Sequence, residues 1–418
     1  MRIALIATSL RLAGAEKQFV YLARALSAAG VEARVFYLGG GDHYQTILTE
    51  MGIPLRQIFN EGRPLIMLAR LIKELSLFKP NVVLASQFGD LIFAAPAARL
   101  CNALVLGGVR SDGFYELNRG GRRSWFMLRL AHGLIANSYR AKKNLESKGI
   151  NPAKITVLPN VINLTEFDAQ AALPFSKCAP ADRLLVAAVG SLQASKRFDR
   201  FLNALALASA KEPRIFGVIA GKDLGAGSAL RQRAASLGLD AGKLLFLGEA
   251  DHIPALLSHC RLLVLCSDYE GFPNVILEAM AARLPVITTP AGDAAVIVEN
   301  GVTGYVVQDD DCHAMADHMV RLIQNPDLSS KLGAAGRKRL EQEYDAASLA
   351  PRVLSAFSGF ARQHRRKKLF NRLEHVACAM GYSERGTSTS KSGPLIRGVV
   401  HQSGTRVWPT VPAVTASK

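Results

Sequence analysis

The feature that most constrains the fold of this chain is an acidic loop followed by a helical segment, residues 269–285 (YEGFPNVILEAMAARLP), with an apolar run on either side. Short apolar runs at 262–267 and 286–289 predict buried parallel strands on either side of it. Between them, residues 274–282 predict a helix, and Pro273 suits its first turn because proline has no N–H to leave unpaired there. The stretch therefore predicts a βαβ unit of a parallel sheet covered by helices.

Two glutamates of this unit are placed to meet a ligand. Glu270 lies in the loop and Glu278 lies on the helix, eight residues later. Ligands of open α/β sheets bind at the carboxyl edge of the strands, where such loops open. A helix start there offers unpaired N–H groups that favour a phosphate, and carboxylates accept hydrogen bonds from sugar hydroxyls. A ligand with phosphates and hydroxyls, such as a nucleotide sugar, fits this combination.

The stretch resembles the signature of the retaining family 4 (group 1) glycosyltransferases of the GT-B fold, in which two acids form an E-x7-E motif. The spacing of the acids, the Gly-x-Pro-Asn between them, Gly292 and residues 301–304 (GVTG) carry the resemblance. It implies that Glu270 contacts the donor sugar or diphosphate, and that Glu278 accepts hydrogen bonds from the ribose hydroxyls. Further residues are assigned to the same substrate site: Gly271, Phe272, Asn274 and Val275.

Domain organisation follows from length and from the resemblance. A chain of 418 residues, 49% of them hydrophobic, is long enough for two globular domains. The resemblance implies an α/β, GT-B architecture of two doubly wound, Rossmann-like parallel-sheet domains that face each other across a cleft. We assign residues 1–165 to an N-terminal acceptor-binding domain and 182–345 to a C-terminal nucleotide-sugar-binding domain, joined by a linker at about 166–181. Helices over 346–380 are expected to cross back to the first domain, and 381–418 is expected to be a disordered basic tail.

The second domain carries a basic loop after its first predicted strand. Residues 190–196 (GSLQASK) resemble the family's Gly-Arg-Leu-x-x-x-Lys loop. Lysine is a compact point charge that suits a diphosphate, and Lys196 is the candidate for that contact. Ser191 stands where the family has arginine. Arg197 is the candidate to replace that arginine in substrate binding.

The first domain contributes three candidate residues. Gly14 lies in residues 12–16 (LAGAE), which resemble the family's Gly-Gly-Ala-Glu turn, and a glycine lets the backbone approach a ligand closely. Arg110 stands where many relatives have a histidine that faces the donor sugar. An arginine stays protonated and cannot be a general base, so Arg110 would balance substrate charge, or Asp112 would supply the polar function. The alternative for Arg110 is an ordinary surface arginine.

Charge and cysteine usage suggest partners and a compartment. The net charge of +17 attracts anions without selecting among them, and no nucleic-acid-binding module accompanies it. Residues 117–131 mix arginines with aromatic and aliphatic residues, which predicts a helix at an anionic membrane surface or, alternatively, a core-packed helix. Six cysteines without a C-x-x-C pair indicate reduced thiols. We therefore expect a cytoplasmic protein, peripheral on the inner face of the cell membrane.

Other chemistries lack their motifs. There is no H-E-x-x-H, no G-x-S-x-G and no P-loop, and residues 309–311 (DDD) only superficially match a metal-binding pair. We expect no metal or other cofactor. The resulting hypothesis is the transfer of a sugar from a nucleotide-diphosphate donor, a UDP-sugar, to a hydroxyl of a glycan or lipid-linked acceptor in bacterial surface polysaccharide synthesis. A nucleotide-sugar epimerase on the same fold and a catalytically inactive binding homologue are the alternatives.

Overall fold

The computed structural model describes residues 1–11, 14–39, 43–58, 63–175, 182–250 and 252–380, with the backbone alone at 119 and 120. These residues form one seven-stranded and one six-stranded sheet. All neighbouring strands within each sheet are parallel. The prediction of two Rossmann-like parallel-sheet domains is confirmed.

The first sheet has the strand order β3-β2-β1-β4-β5-β6-β7. Its order reverses between β1 and β4, and the crevice at the carboxyl edge of such a reversal is the usual ligand site of this fold type. The strands are β1 Arg2–Ala7, β2 Glu32–Tyr37, β3 Leu55–Gln57, β4 Val82–Ala85, β5 Leu104–Val109, β6 Gly133–Ala136 and β7 Ile155–Val157.

The second sheet has the strand order β10-β9-β8-β11-β12-β13 and reverses between β8 and β11. The predicted strands around the two glutamates are β11 and β12, so the βαβ unit is confirmed. The strands are β8 Leu184–Val189, β9 Ile215–Ala220, β10 Leu244–Gly248, β11 Cys260–Leu265, β12 Val286–Thr288 and β13 Gly304–Val306.

Helices connect the strands and cover both faces of each sheet, as right-handed crossovers require. The helices up to the second sheet are α1 Gly14–Ala28, α2 His43–Glu50, α3 Pro64–Phe78, α4 Leu91–Leu100, α5 Phe114–Gly120, α6 Arg122–Leu130, α7 Tyr139–Ser147 and α8 Leu164–Ala171. The later helices are α9 Phe198–Lys211, α10 Gly227–Ser236, α11 Ile253–Ser258, α12 Asn274–Ala281, α13 Ala294–Ile297, α14 Cys312–Gln324, α15 Pro326–Glu343, α16 Leu349–Gln363 and α17 Lys367–Ala379. No helix in the described part of the chain is long and apolar enough to cross a bilayer.

The last two helices pack on the first sheet rather than the second. Leu354 and Phe357 of α16 lie in the same core cluster as Ile3 and Leu5 of β1, and Leu373 of α17 joins them. Alternate residues of β1 point to the other face, because side chains of a strand alternate. The chain after the second sheet therefore returns to cover the first.

Two local predictions are wrong. The stretch assigned to a linker begins with helix α8, because the Asn163 side chain accepts the N–H of Glu166 at its start and Phe167 packs into the core of the second sheet. The single helix expected over 117–131 is two helices, α5 and α6. Gly121 separates them with φ 49° and ψ −128°, which is not helical. The predicted tail, 381–418, lies outside the described residues.

Candidate active site

Glu270 lies in the loop after β11 and is held by two hydrogen-bond donors. Its Oε1 accepts from the Lys196 ammonium at 2.6 Å and from the Ser267 hydroxyl at 2.7 Å. The Glu270 side chain is only 11% exposed, so the ion pair is largely shielded from water. The structure thus joins two residues that the sequence assigned separately to one site.

The loop that carries Lys196 also docks on the Glu270 loop through its backbone. The Asp268 N–H donates to the Ser195 carbonyl at 2.9 Å, and the Cys266 thiol donates to the Lys196 carbonyl at 3.4 Å. Ser191 lies half-buried at the start of this loop, just after β8. The strand reversal between β8 and β11 therefore places the basic loop and the acidic loop at one edge.

The Arg197 guanidinium is paired with three carboxylates. It donates to Asp199, Asp268 and Asp310 at 3.0 to 3.2 Å, and the Asp199 and Asp268 carboxylates hold its pKa above the usual range. The side chain is therefore part of a salt-bridge network. That Arg197 replaces the family arginine in substrate binding stays a prediction, and the sequence did not show which acids surround this side chain.

Arg200 is a residue that sequence reasoning missed. Its side chain is 4% exposed and pairs with Asp268 at 2.7 Å and with Asp310 at 2.7 Å, while also donating to the Cys266 carbonyl. It therefore ties the Glu270 loop to the loop after β13. The Asp309 carboxylate lies within ion-pair distance of Arg200, and the Asp310 carboxylate forms ion pairs with Arg197 and Arg200. Among the described residues, no group of three or more His, Cys, Asp or Glu side chains could hold a metal ion.

Glu278 projects from α12 and meets a cation of the first domain. Its Oε1 lies 3.8 Å from the Nζ of Lys17, which belongs to α1. Burial raises the pKa of Glu278 above its usual value, and Lys17 partly opposes that rise. The Glu278 side chain is 19% exposed, and because a carboxylate largely removed from water needs hydrogen-bond donors, this group is suited to accept from hydroxyls of a ligand.

The residues between the two acids make the contact between domains. Asn274 accepts from the Asn160 side chain at 2.8 Å. A Cβ at Gly14 would lie 3.0 Å from the Asn274 amide nitrogen, so this glycine permits the approach. Gly271 approaches the Arg110 carbonyl so closely that a Cβ would lie 2.7 Å from it. The carboxyl edges of the two sheets therefore face each other.

The neighbouring apolar residues serve the core. The Phe272 ring is buried and packs against the Tyr344 ring with centroids 5.8 Å apart. Val275 is half-buried against the same cluster. Their side chains anchor the start of α12 in the core of the second sheet. The motif thus combines two carboxylates with residues that fix the loop between them.

Arg110 is fixed at the end of β5. Its Nε donates to the Ser86 carbonyl at 3.1 Å, and burial lowers its pKa to about 10, so it stays a cation at neutral pH. The Glu116 carboxylate accepts the N–H of Arg110 at 3.1 Å, of Ser111 at 2.9 Å and of Gly113 at 3.1 Å. Glu116 therefore shapes this loop, a role that the sequence did not reveal because an acid three residues into a helix is common.

Asp112 has a local structural contact. Its Oδ1 accepts the N–H of Tyr115 at 3.0 Å, which satisfies a donor at the start of α5. Its carbonyl accepts from the Asn144 side chain at 2.8 Å. The structure therefore explains Asp112 by the folding of its loop, and it offers Arg110 as the better placed of the two first-domain candidates.

A second group of polar residues lies at the strand reversal of the first sheet. The Thr8 hydroxyl donates to Asp90, and the Ser9 hydroxyl donates to Glu16 at 3.3 Å. Burial raises the pKa of Asp90 to about 7. These side chains follow β1 and β4 and lie on the same edge as Arg110. They give the first domain a polar edge opposite Glu270 and Glu278.

Family models divide the chain as its two sheets do. A model described as Glycosyltransferase Family 4 matches residues 12–166, and one described as Glycosyl transferases group 1 matches residues 170–339. The chain belongs to the group 1, family 4 glycosyltransferases. The resemblance that the two acids suggested is confirmed over both domains of this glycosyltransferase.

Curated relatives match part of this glycosyltransferase. The D-inositol 3-phosphate glycosyltransferase of Streptomyces scabiei is 29% identical over 257 residues, 58% of this chain and 57% of the relative. The lipopolysaccharide core biosynthesis mannosyltransferase LpsB of Rhizobium meliloti is 26% identical over 253 residues, 57% of this chain and 69% of the relative. The N-acetyl-alpha-D-glucosaminyl L-malate synthase of Bacillus anthracis is 28% identical over 127 residues, 30% of this chain. The chain spans only 33% of the length of that last relative.

Solved structures share the fold. Anabaena HepE in complex with UDP has a TM-score of 0.74 and 20% sequence identity, and the match covers 86% of this chain and 100% of HepE. HepE in complex with UDP-glucose has a TM-score of 0.72. This likeness confirms the GT-B fold.

Proposed function

We propose that this protein is a retaining hexosyltransferase that moves a sugar from a nucleotide-diphosphate donor to a hydroxyl of an acceptor. The observation that carries the proposal is the shielded Lys196–Glu270 pair at the carboxyl edge of the second sheet, with Glu278 about one turn into the following helix. A cation for phosphate, on the loop after β8, and carboxylates for hydroxyls, on the β11-α12 unit, lie at the same edge of the second sheet. The polar edge of the first sheet faces them across the cleft and would receive the acceptor.

In the proposed reaction the bond between the anomeric carbon and the diphosphate oxygen breaks, and a bond to the acceptor oxygen forms. The acceptor proton leaves with the diphosphate, so charge and atoms balance. Lys196 and the N–H groups at the start of α12 would stabilise the negative charge that develops on the leaving group. Arg110 would add a second cation from the first domain. Retention of the anomeric configuration is proposed from the family.

A UDP-sugar is the proposed donor. Support comes from HepE, which shares the fold and was solved with UDP and with UDP-glucose. A thermal-shift comparison of UDP, GDP and ADP tests the base. A ligand at one hundred times its dissociation constant adds about 2.7 kcal/mol of stability, so UDP should raise the melting temperature and the other two should not. A selective response to GDP or ADP would refute the UDP assignment.

We propose that no metal ion takes part. Lys196, Arg110 and helix N–H groups would supply the positive charge that a metal supplies in other transferases. Turnover of the donor should be unchanged after dialysis against EDTA. Loss of activity that added Mg²⁺ or Mn²⁺ restores would refute this part of the proposal.

The proposed acceptor is a glycan or a lipid-linked glycan of the bacterial cell surface. LpsB, a relative, is named for lipopolysaccharide core biosynthesis, and CapM of Staphylococcus aureus, 33% identical over 106 residues, is named for capsular polysaccharide biosynthesis. Incubation with a UDP-sugar, with and without lipid-linked acceptors, followed by product analysis, tests transfer. An epimerised donor formed without any acceptor would support a nucleotide-sugar epimerase instead.

We also propose peripheral contact with an anionic membrane on the cytoplasmic side. On α6, Trp125 is 44% and Phe126 is 61% exposed, and Arg122, Arg123 and Arg129 accompany them. Met127 and Leu128 of the same helix face the core. Helix α6 therefore packs on the domain with one side and exposes aromatic residues to solvent on the other. Trp125→Ser with Phe126→Ser should abolish sedimentation with phosphatidylglycerol vesicles. Leu224→Ser, an exposed apolar position of the second domain, is the control; equal sedimentation of both variants would count against this surface.

A further inference from the structure

Asp293 makes an interdomain contact that its own position in the chain does not require. It immediately precedes α13, where an aspartate commonly caps the helix, yet its side chain makes no cap hydrogen bond there. Both carboxylate oxygens instead accept backbone N–H groups of the first domain, from Tyr139 at 2.7 Å and from Arg140 at 2.9 Å. The side chain is 1% exposed. A buried carboxylate of the second domain therefore caps a helix of the first.

Helix α7 depends on this contact for its first turn. The opening N–H groups of a helix have no partner within the helix. The Ser138 hydroxyl accepts the N–H of Ala141 at 3.1 Å, and Asp293 takes those of Tyr139 and Arg140. A negative charge at a helix N-terminus also interacts favourably with the helix dipole. If the domains moved apart, both N–H groups and the carboxylate would have to form hydrogen bonds with water instead.

The contact adjoins the candidate donor site. Gly292, one residue earlier, has φ 58°, and a Cβ there would lie 2.4 Å from the Glu270 carbonyl. Gly271 in turn packs against the Arg110 carbonyl of the first domain. The Glu270 loop is thus held between the turn that carries Asp293 and the loop that carries Arg110. When Asp293 accepts the N–H groups of α7, the turn that carries Asp293, the Glu270 loop and the Arg110 loop are held in fixed positions relative to one another.

Desolvation and hydrogen bonding act in opposite directions on the Asp293 carboxylate. Burial raises the pKa of Asp293, while the two N–H groups and Arg140 oppose that rise. Removing the carboxylate from water therefore offsets much of what its hydrogen bonds contribute.

We propose that Asp293 is a positioning residue that closes the cleft by capping α7 and so aligns the Glu270 loop with Arg110. The proposal rests on the glycosyl transfer proposed above for its catalytic consequence. Its structural part, an interdomain cap that stabilises the closed form, stands without it. The carboxylate need not touch the substrate.

The test removes the contact from either side. Tyr139→Pro deletes one donor N–H, and proline is compatible because Tyr139 is the first helical residue and Ser138 before it is extended, with φ −144° and ψ 150°. Tyr139→Ala is the matched control, since it removes the same side chain and keeps the N–H. Asp293→Asn removes the charge and one acceptor from the other side. Ser138→Ala weakens the same helix within the first domain only.

Two readouts separate positioning from general stability. Small-angle scattering should give a larger radius of gyration for Tyr139→Pro and Asp293→Asn than for Tyr139→Ala and Ser138→Ala. With a sugar donor, kcat should fall by about tenfold to a hundredfold in the first two, as expected for one lost charge-assisted hydrogen bond, while UDP affinity stays within about twofold of the control. The double variant Tyr139→Pro with Asp293→Asn should have the same kcat as Asp293→Asn alone, because both changes remove the same contact.

The proposal is overturned if Tyr139→Pro and Tyr139→Ala have the same radius of gyration and the same kcat. It is also overturned if Asp293→Asn lowers UDP affinity as much as kcat, since that would place the residue in the donor site. Absence of turnover in the wild-type protein would refute the transferase proposal instead. The scattering comparison would still decide whether the cap closes the cleft.

Discussion

The Lys196–Glu270 pair gives a quantitative test of the site. We consider Lys196→Met, Glu270→Gln and the double variant. The two charged groups are 2.6 Å apart, with side chains 21% and 11% exposed, so solvent screens them little. A hydrogen bond to a charged group contributes about 1.5–3 kcal/mol. Each single variant should therefore lose stability, and the double-variant cycle should show a coupling of about 1.5–3 kcal/mol.

Urea unfolding of the four proteins measures this coupling. The pair Lys211–Asp317 is a matched control, because its charged atoms are also 2.6 Å apart but both side chains are more than half exposed. Solvent screening should make the coupling of that pair clearly smaller. Equal couplings for the two pairs, or additive effects of Lys196→Met and Glu270→Gln, would refute the argument that burial strengthens the pair.

The same variants separate the roles of the two residues in binding. UDP carries the diphosphate but not the hexose that is transferred, so Lys196→Met should weaken UDP binding by about tenfold or more. Glu270→Gln should affect a UDP-sugar more than UDP itself. Isothermal titration of both ligands measures the difference. Unchanged UDP affinity in Lys196→Met would exclude the diphosphate contact.

Three further predictions concern residues around the site. Glu278→Gln should weaken UDP binding by about tenfold to a hundredfold, because the amide loses charged hydrogen bonds to the ribose; titration calorimetry showing wild-type affinity would contradict this role. Arg337→Met should lower the free energy of unfolding by about 2–4 kcal/mol, because the Arg337 side chain donates to Asp168 at 2.7 and 2.8 Å and to the Ala281 carbonyl at 2.9 Å; urea denaturation with an unchanged midpoint would exclude it. Since burial raises the pKa of Asp90 to about 7, the associated stability is present below about pH 4 and is lost as pH rises through 7. Asp90→Asn should therefore reduce the fall in unfolding free energy between pH 5 and 8 by roughly 2–3 kcal/mol, and identical slopes in the two proteins would show that Asp90 does not titrate in this range.

Local sequence determined the two sheets and the central unit. Apolar runs of strand length, separated by helical segments, leave a parallel sheet as the arrangement that buries them. The spacing from Glu270 to Glu278 placed one acid in a loop and the other on a helix, and the structure has them there. These features depend on neighbours within about thirty residues, which pattern reasoning captures.

Tertiary structure alone decided which charged groups are free and which are engaged. Arg197 looked available in the sequence, but Asp268 and Asp310, more than seventy residues away, occupy its donors. Helix α8 was mistaken for a linker because its anchor, Arg337, lies 169 residues from Asp168. Asp293 reaches the N–H groups of α7 from 153 and 154 residues away. No local pattern records such pairs, because hydrogen bonds and desolvation are set by which segments the folded chain brings within a few ångströms of each other.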